Sequence, residues 1–285
     1  MATVVKADVR RREGGRRMRH GARRSLPGEP LVTIITAVRN GGAHFAATID
    51  SIRRQTYANV EYIVIDGGSS DGTVELLEDA GDAIDYWVSE RDAGIGDAFN
   101  KAVALAHGDW INFQGGGDGL WADDTIARVV ALANGDRDAI VAGEVMRVSA
   151  EDDTPLFRFP MPRTFRKSAF WWSMTLPHQG LFVPRAMFET YGGFDLSVVY
   201  AMDYEHLLRA YRKFPRVILC RDVVARWRAG GHGTGREAIL LAEYDRIRRM
   251  HRIAPGPVLA ATHAWSHAKL AARNGLRRLG VGAGR

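Results

Sequence analysis

The chain has 285 residues, of which 46% are hydrophobic, and a formal net charge of +6. This length and composition are normal for a globular protein that folds as one large α/β domain or two small ones. The single cysteine, Cys220, excludes an intrachain disulfide and fits a reducing compartment. No apolar run approaches the roughly 18–20 residues of a membrane-crossing helix, and residues 1–30 lack the apolar core of a secretory signal. We therefore expect a cytoplasmic protein.

Both ends of the chain are basic. Residues 1–30 are rich in Arg and Gly and contain few apolar residues, which predicts a disordered basic tail. Residues 255–285 begin with Pro255-Gly256-Pro257 and continue as a basic helix with an apolar stripe. Such ends fit contact with a membrane surface, although solubility alone explains them. We predict three regions: the tail at 1–30, a folded α/β domain at 31–254 and a basic C-terminal helix at 255–285.

Strands and helices alternate between residues 31 and 148. The β-branched run at 31–37 is typical of a parallel strand buried on both faces, and apolar strands follow at 62–65, 86–88 and 110–113. Helical patterns separate these strands, so the spacing predicts right-handed βαβ units and a mostly parallel sheet flanked by helices. The second half departs from this alternation. We expect an irregular excursion at 151–166, around three prolines, and then a smaller mixed region.

Polar and glycine residues follow two of the predicted strands. Asp66 ends the second strand, and the strand at 110–113 runs into Gly115-Gly116-Gly117 and Asp118. Open α/β sheets bind ligands outside the carboxyl ends of their strands. A carboxylate at Asp66 could accept hydrogen bonds from a ribose or a base, or it could bond to its own turn backbone.

The segment DAGIGDAFNKAVALAHGDWINF, residues 92–113, resembles the loop, helix and fourth strand of family 2 glycosyltransferases with the GT-A fold. Further matches follow the order of that family, at Thr33–Asn40, Tyr62–Thr73, His178–Phe182 and Gly192–Leu208. The resemblance implies a GT-A (Rossmann-like) sheet at 31–254 with a smaller acceptor-side mixed region. It also implies an enzyme that transfers a sugar from a nucleotide diphosphate.

On the donor side, the resemblance assigns Asp66 to the nucleoside and places Asp97 beside the nucleotide. Asn100 and Lys101 lie one helical turn further on and could reach the diphosphate or the ribose. The alternative for Asp97 is a purely structural role, because the helix dipole favours an acidic residue near the N-terminus. Thr36, at the end of the first strand, is either a neighbour of the nucleoside or a buried threonine.

On the acceptor side, the resemblance implies that Asp203 is the general base that takes the proton of the acceptor hydroxyl. Glu205 is the second choice for this role. His178 and Gln179 match a family pair and are expected to line the donor or acceptor pocket. Aromatic residues for stacking on sugars are also present, with buried packing as the alternative: Trp171, Trp172 and Trp227.

The metal motif departs from the family pattern. The family usually carries an Asp-x-Asp motif at the end of the fourth strand, whereas this chain has three glycines and retains only Asp118. Mg²⁺ or Mn²⁺ is expected to neutralise the leaving diphosphate. Asp118 could ligate it, the diphosphate and water could hold it, or His232 could supply a nitrogen.

We therefore interpret the chain as an inverting glycosyltransferase of polysaccharide or glycoconjugate biosynthesis. The expected partners are a UDP-sugar donor and a glycan or lipid-linked acceptor, with peripheral membrane contact and without nucleic acid. The alternative is a catalytically impaired nucleotide-sugar-binding protein on the same fold, which the three glycines favour. A dehydrogenase is disfavoured because no G-x-G-x-x-G motif follows the first strand. A nucleic-acid binder is disfavoured because the basic residues lie in the tails.

Overall fold

The computed structural model describes residues 11–231 and 235–278. The chain divides into two compact units, 1–127 and 128–285. Each unit contains its own set of paired strands.

Unit 1 is built on a parallel sheet. Its strands run in the order β1 (Arg12–Gly14), β4 (Tyr86–Ser89), β3 (Val60–Asp66), β2 (Val32–Val38) and β5 (Trp110–Gly115). All neighbours are parallel except β1, which is antiparallel to β4. Every residue of β2 and β3 is buried, as expected for β-branched strands covered on both faces. The elements are β1 Arg12–Gly14, α1 Arg17–His20, β2 Val32–Val38, α2 Gly42–Arg53, β3 Val60–Asp66, α3 Thr73–Asp79, β4 Tyr86–Ser89, α4 Ile95–Leu105, β5 Trp110–Gly115, β6 Gly119–Leu120 and the beginning of α5 Thr125–Ala133.

The register of this sheet brings the carboxyl ends of four strands to one edge. Asp66 pairs with Val38 on one side and with Ser89 on the other, while Gly115 pairs with Ala37. The sequence predicted this alignment from the strand–helix alternation, and the register confirms it.

The disorder predicted for the N-terminal tail is wrong for residues 11–30. β1 adds to the edge of the sheet next to β4, and the buried Asp85 carboxylate receives Arg16 Nε at 2.7 Å and Arg23 Nε at 2.9 Å. Strand pairing at the sheet edge and ion pairs, and not apolar burial, order this segment. Composition alone does not reveal such contacts. Residues 1–10 of the predicted tail lie outside the described residues.

Unit 2 is a mixed region. The elements after α5 are β7 Ile140–Val148, β8 Pro155–Phe159, β9 Leu181–Pro184, α6 Arg185–Tyr191, α7 Met202–Arg209, β10 Val217–Arg228, α8 Glu237–His251 and α9 Gly256–Arg278. In the sheet of this unit β10 is parallel to β7, whereas β8 and β9 are antiparallel to β7.

Two sequence predictions for unit 2 need correction. The expected irregular excursion contains β8, with Pro155 at its first residue, a position where the missing N–H is tolerated. The two short strands expected at 217–220 and 223–227 are one strand, β10, because register shifts after Cys220 and Val223 absorb the break in the pattern.

The predicted class, an α/β fold with a mostly parallel sheet and a smaller mixed region, is confirmed. The predicted C-terminal helix is also present, as α9. In the described part of the chain, no helix is both long enough and apolar enough to cross a membrane.

Candidate active site

Asp66 closes β3 and is fully buried. Its carboxylate accepts hydrogen bonds from the N–H groups of Gly68 and Ser69, at 3.2 and 3.0 Å, and from the Ser89 hydroxyl at 2.6 Å. The Ser69 hydroxyl donates a fourth bond. A carboxylate has about four acceptor sites, and three of these bonds end on Oδ2 and one on Oδ1, so most of its capacity is taken up within the protein. Asp66 therefore holds the β3–α3 loop in place, as in the alternative reading of a turn aspartate.

The loop before α4 approaches the same strand end. A Cβ on Gly67 would lie 2.5 Å from Asp92 Oδ2, so the absence of a side chain there allows Asp92 to come close. Asp92 Oδ1 in turn accepts the Gly94 N–H at 3.0 Å. The structure thus brings the Asp66 turn and the α4 loop together, as the family motif implied.

Asp97 and Lys101 lie one turn apart on α4. Asp97 Oδ2 accepts the Ala93 N–H at 3.0 Å and lies 3.3 Å from Lys101 Nζ, which also contacts Glu90 Oε1 at 2.9 Å. The Ala93 N–H, and secondarily the Lys101 ammonium, lower the pKa of Asp97. Asp97 therefore stabilises the helix start, and Asn100 lies half-buried beside it on the same helix.

Asp118 folds back onto the end of β5. Its Oδ2 accepts the Gly115 N–H at 3.1 Å and would lie only 2.9 Å from a Cβ on Gly115. The carboxylate of residue 118 therefore occupies the space where a side chain at residue 115 would begin. One carboxylate still stands at the strand end where the family pattern has its motif.

The other two glycines of the triplet cannot readily be replaced, one because of a close neighbour and one because of its backbone conformation. A Cβ on Gly116 would lie 2.5 Å from Val38 Cγ2, and Gly117 has φ +146°, a conformation that side chains rarely adopt. Thr48 of α2 secures this turn, since its hydroxyl accepts the Gly117 N–H at 3.1 Å and donates to the Asp118 carbonyl at 2.6 Å. Sequence reasoning missed Thr48, whose only signal is a polar residue on the inward face of a helix.

Thr36 is fully buried inside the sheet. Its Oγ1 accepts the Tyr62 hydroxyl at 3.1 Å. Burial raises the pKa of Tyr62, so this phenol stays protonated and donates. The buried-threonine alternative describes this position.

In unit 2, Asp203 occupies the first turn of α7. Its Oδ1 accepts the Tyr204 N–H at 2.8 Å, and its Oδ2 lies 3.7 Å from His178 Nδ1, beyond hydrogen-bond distance. Both side chains are about one-fifth exposed, at 18% for Asp203 and 20% for His178. Burial, and secondarily the Asp203 charge, raise the pKa of Tyr244. Two of the residues that the resemblance singled out in this unit, Asp203 and His178, therefore lie side by side, and Gln179 follows His178 in the chain.

Glu243 of α8 fixes the chain that enters α7. Its carboxylate accepts the N–H groups of Val199, Tyr200 and Ala201 at 2.8, 2.8 and 2.9 Å. Three charge-assisted bonds to successive backbone groups hold the segment just before Asp203. Sequence reasoning did not find Glu243, because it lies 42–44 residues beyond these groups and in no motif.

Glu205, the second choice for the base, is buried and forms ion pairs that stabilise the fold. Its carboxylate receives both Arg209 Nε at 3.0 Å and Arg209 Nη2 at 2.5 Å, together with His251 Nε2 at 2.9 Å. Burial alone would raise the pKa of Glu205, but the bonds from His251 and Arg209 outweigh it and lower the pKa to about 2. Glu205 thus stays ionised and paired, which is unsuitable for accepting a proton.

The remaining candidates are three tryptophans, which lie in different environments, and His232. Trp171 Nε1 donates to the Tyr211 hydroxyl at 2.6 Å, and Trp227 packs against the Arg147 guanidinium at 5.3 Å. Trp172 is 49% exposed. His232 lies outside the described residues.

Residues 33–191 match the family model described as "Glycosyl transferase family 2". The "Uncharacterized glycosyltransferase Rv1514c" of Mycobacterium tuberculosis is 31% identical over 240 residues, which cover 83% of this chain and 90% of that protein.

Two solved structures share the fold. The mannosyltransferase PcManGT from Pyrobaculum calidifontis, in complex with GDP-Man and Mn²⁺, has a TM-score of 0.59 at 23% identity and covers 88% of this chain and 77% of its own. Residues 1–349 of TarS from S. aureus, in complex with UDP-GlcNAc, have a TM-score of 0.58 at 14% identity and cover 76% of this chain and 70% of their own. These are GT-A glycosyltransferases, and the present chain is a member of glycosyl transferase family 2 with the GT-A fold.

Proposed function

We propose that the protein is an inverting glycosyltransferase that moves a sugar from a UDP-sugar to a hydroxyl group of a glycan or lipid-linked acceptor. The observation that carries the proposal is the environment of Asp203. Its carboxylate is partly exposed and next to His178, whereas the neighbouring carboxylates of Glu205 and Glu243 are fully engaged in holding the fold.

In this reaction Asp203 removes the proton from the acceptor hydroxyl as the oxygen attacks the anomeric carbon. The bond from that carbon to the diphosphate breaks, and the nucleoside diphosphate leaves from the opposite face, which inverts the configuration. A positioned general base contributes about 10²–10⁴-fold to such a step. His178, with Nδ1 3.7 Å from the Asp203 carboxylate, lines the donor or acceptor pocket beside the base, together with Gln179.

Unit 1 supplies the donor contacts. The Asp66 turn shapes the surface for the nucleoside, and Asp97, Asn100 and Lys101 on α4 face the ribose and diphosphate. Thr36, fully buried, supports this edge from within. A nucleotide-sugar donor is supported by the two solved relatives named with UDP-GlcNAc and GDP-Man.

Asp118 is the residue that would hold Mg²⁺ or Mn²⁺. A carboxylate oxygen is the hard ligand these ions prefer, and Asp118 places one at the end of β5. Because Asp118 is the carboxylate at that position, the further ligands would have to come from the donor phosphates and water. When bound, the cation neutralises the charge that develops on the leaving diphosphate.

A lipid-linked acceptor would bring the protein to a membrane surface. The exposed Trp265 and Lys269 on α9 fit such contact, because an aromatic and a basic side chain favour the interface. This contact accompanies the proposed acceptor class and is not required for donor binding.

The test combines donor binding with product stereochemistry. Thermal unfolding is measured with UDP-sugars and GDP-mannose, with and without Mn²⁺, and transfer products are analysed by NMR. We expect a UDP-sugar to raise Tm and an α-linked donor to give a β-linked product. A product of retained configuration would overturn the inverting mechanism, and stabilisation by GDP-mannose alone would overturn the UDP assignment. Donor binding without transfer to any acceptor would favour the impaired binding protein.

A further inference from the structure

Two histidines and one aspartate converge between the last two helices of unit 2. Asp245 lies on α8, and His263 and His267 lie one turn apart on α9. Asp245 Oδ2 is 2.5 Å from His263 Nδ1 and 3.1 Å from His267 Nε2, and the two imidazole rings are 4.2 Å apart. Three ligand-type atoms, all within 4.8 Å of one another, therefore meet at one point.

We propose that Asp245, His263 and His267 form a binding site for a borderline transition-metal ion, Zn²⁺ in the first place, which joins α9 to α8. The cluster belongs to neither the base at Asp203 nor the carboxylate at Asp118. The proposal is independent of the proposed function.

The donor set selects the class of metal. Two imidazoles and one carboxylate suit Zn²⁺, whereas Mg²⁺ and Mn²⁺ prefer oxygen ligands. Tetrahedral Zn²⁺ with bonds near 2.0–2.2 Å holds its ligand atoms roughly 3.3 Å apart. The pairs at 2.5 and 3.1 Å need only small rotations to reach that spacing. Water would take the fourth position, since the imidazoles are 51% and 41% exposed.

The carboxylate is oriented in advance by a buried arginine. Arg248 Nη1 donates to Asp245 Oδ1 at 3.2 Å, which leaves Oδ2 directed at the histidines. Arg248 is itself fixed by the Trp172 carbonyl at 2.6 Å and the Tyr204 hydroxyl at 3.2 Å. Ligating carboxylates in metal sites are commonly held in this way by an outer hydrogen bond.

The site would matter because little of α9 is buried. Among the α9 residues whose side chains the structure describes, Thr262 is the only buried one, and Trp265 on the next turn is 65% exposed. Helix association therefore depends on few apolar contacts at this level, and a metal bridge would add a strong link between α8 and α9.

The experiment uses the full chain without a polyhistidine tag, and no nucleotide. Zn²⁺ binding is measured by calorimetry, Co²⁺ coordination by its absorption spectrum, and amide exchange of α9 with and without Zn²⁺. We expect one Zn²⁺ per chain, a tetrahedral Co²⁺ spectrum and slower exchange in α9. His263→Gln and His267→Gln should each weaken Zn²⁺ binding by at least ~10-fold, the lower end of what losing even an outer-shell partner costs.

The matched control is His20→Gln, which removes an exposed histidine in unit 1 and should leave Zn²⁺ affinity unchanged. Zn²⁺ binding that survives His263→Gln and His267→Gln would overturn the proposal, and so would an absence of binding in the wild type. In either case the cluster is a hydrogen-bonded His–Asp–His contact between helices. Neither variant changes a buried residue, so a folding failure is not expected to obscure the result.

Discussion

The candidate carboxylates of unit 1 and the carboxylate of Asp203 in unit 2 each bond to a nearby backbone N–H, but their surroundings differ. In unit 1 each candidate carboxylate bonds to its own loop: Asp66 to the Gly68 and Ser69 N–H groups, Asp97 to Ala93 and Asp118 to Gly115. In unit 2 other carboxylates hold the backbone and fold around Asp203. Unit 1 thus presents acids that bond to their own loops, of which Asp66 and Asp118 are buried, whereas Asp203 of unit 2 is partly exposed and lies beside acids that hold the surrounding chain.

The first prediction concerns Glu205, a buried carboxylate of unit 2 that stabilises the fold around Asp203. Glu205→Gln removes the charge that pairs with Arg209 and His251 in a site where Glu205 is 3% exposed. Breaking a buried ion pair typically costs about 3–5 kcal/mol, because the remaining charge is left uncompensated. We expect the free energy of unfolding, measured by denaturant titration, to fall by about 3 kcal/mol.

The control for Glu205 is another glutamate–arginine pair with the same helical spacing. Glu189 pairs with Arg185 on α6, but the two side chains are 56% and 41% exposed. Exposed pairs of this kind contribute about 0.3–0.5 kcal/mol, so Glu189→Gln should change stability by no more than that. Equal losses in the two variants would mean that Glu205 is not a buried support.

The second prediction concerns Asp203, the proposed general base. Asp203→Asn should lower sugar transfer by at least ~10²-fold, the lower end for a general base, while donor affinity stays within error of the wild type. Single-turnover transfer and calorimetry with the donor nucleotide measure the two quantities. Asp195→Asn is the control, since Asp195 bonds to the Ser197 N–H of its own turn at 2.8 Å. Near-normal turnover of Asp203→Asn would place the base elsewhere.

These two regions also show what the sequence could predict. β2 to β5 and their helices were predicted because each element carries its own local period, and the motif at 92–113 located α4 and its loop. The order of residues 11–30 was missed because it depends on contacts with Asp85, 62–69 positions away. Glu243 was missed for the same reason. A turn role for Asp66 was among the alternatives, but only coordinates show that its carboxylate also bonds to Ser89 of the neighbouring strand.

The third prediction tests whether Asp66 contacts the nucleotide directly or only positions the β3–α3 loop. Ser89 is 2% exposed and touches Asp66 from the neighbouring strand, with its hydroxyl 2.6 Å from Oδ2. If Asp66 acts by shaping the loop, then Ser89→Ala should weaken UDP binding several-fold, and Asp66→Asn should weaken it about 10-fold, since a hydrogen bond to a charged group is worth about 1.5–3 kcal/mol. Calorimetry with UDP measures both. A normal affinity in Ser89→Ala beside a weakened Asp66→Asn would instead assign Asp66 to direct contact.

The last prediction adds a second carboxylate on the donor side, where the glycines leave Asp118 alone. Gly115 is the suitable position, because it lacks a positive φ and its Cβ would meet only the Asp118 carboxylate, the far end of a side chain, at 2.9 Å. Gly115→Asp should place two like charges together. The apo variant is therefore expected to be slightly less stable, and Mn²⁺ affinity to rise a few-fold, because anionic oxygen ligands set the strength of such sites.

Gly117→Asp, which would place the second carboxylate directly before Asp118 in the chain, is the contrasting variant. At φ +146° an aspartate is strained, so this variant should lose stability with little gain in Mn²⁺ affinity. Mn²⁺ binding by electron paramagnetic resonance, thermal unfolding and transfer against metal concentration are measured for all three proteins. An unchanged Mn²⁺ affinity in Gly115→Asp would mean that Asp118 does not hold the cation. Full wild-type activity in excess chelator would remove the metal from the mechanism of this chain, and the Asp118 carboxylate would then serve only the turn that it closes with Gly115.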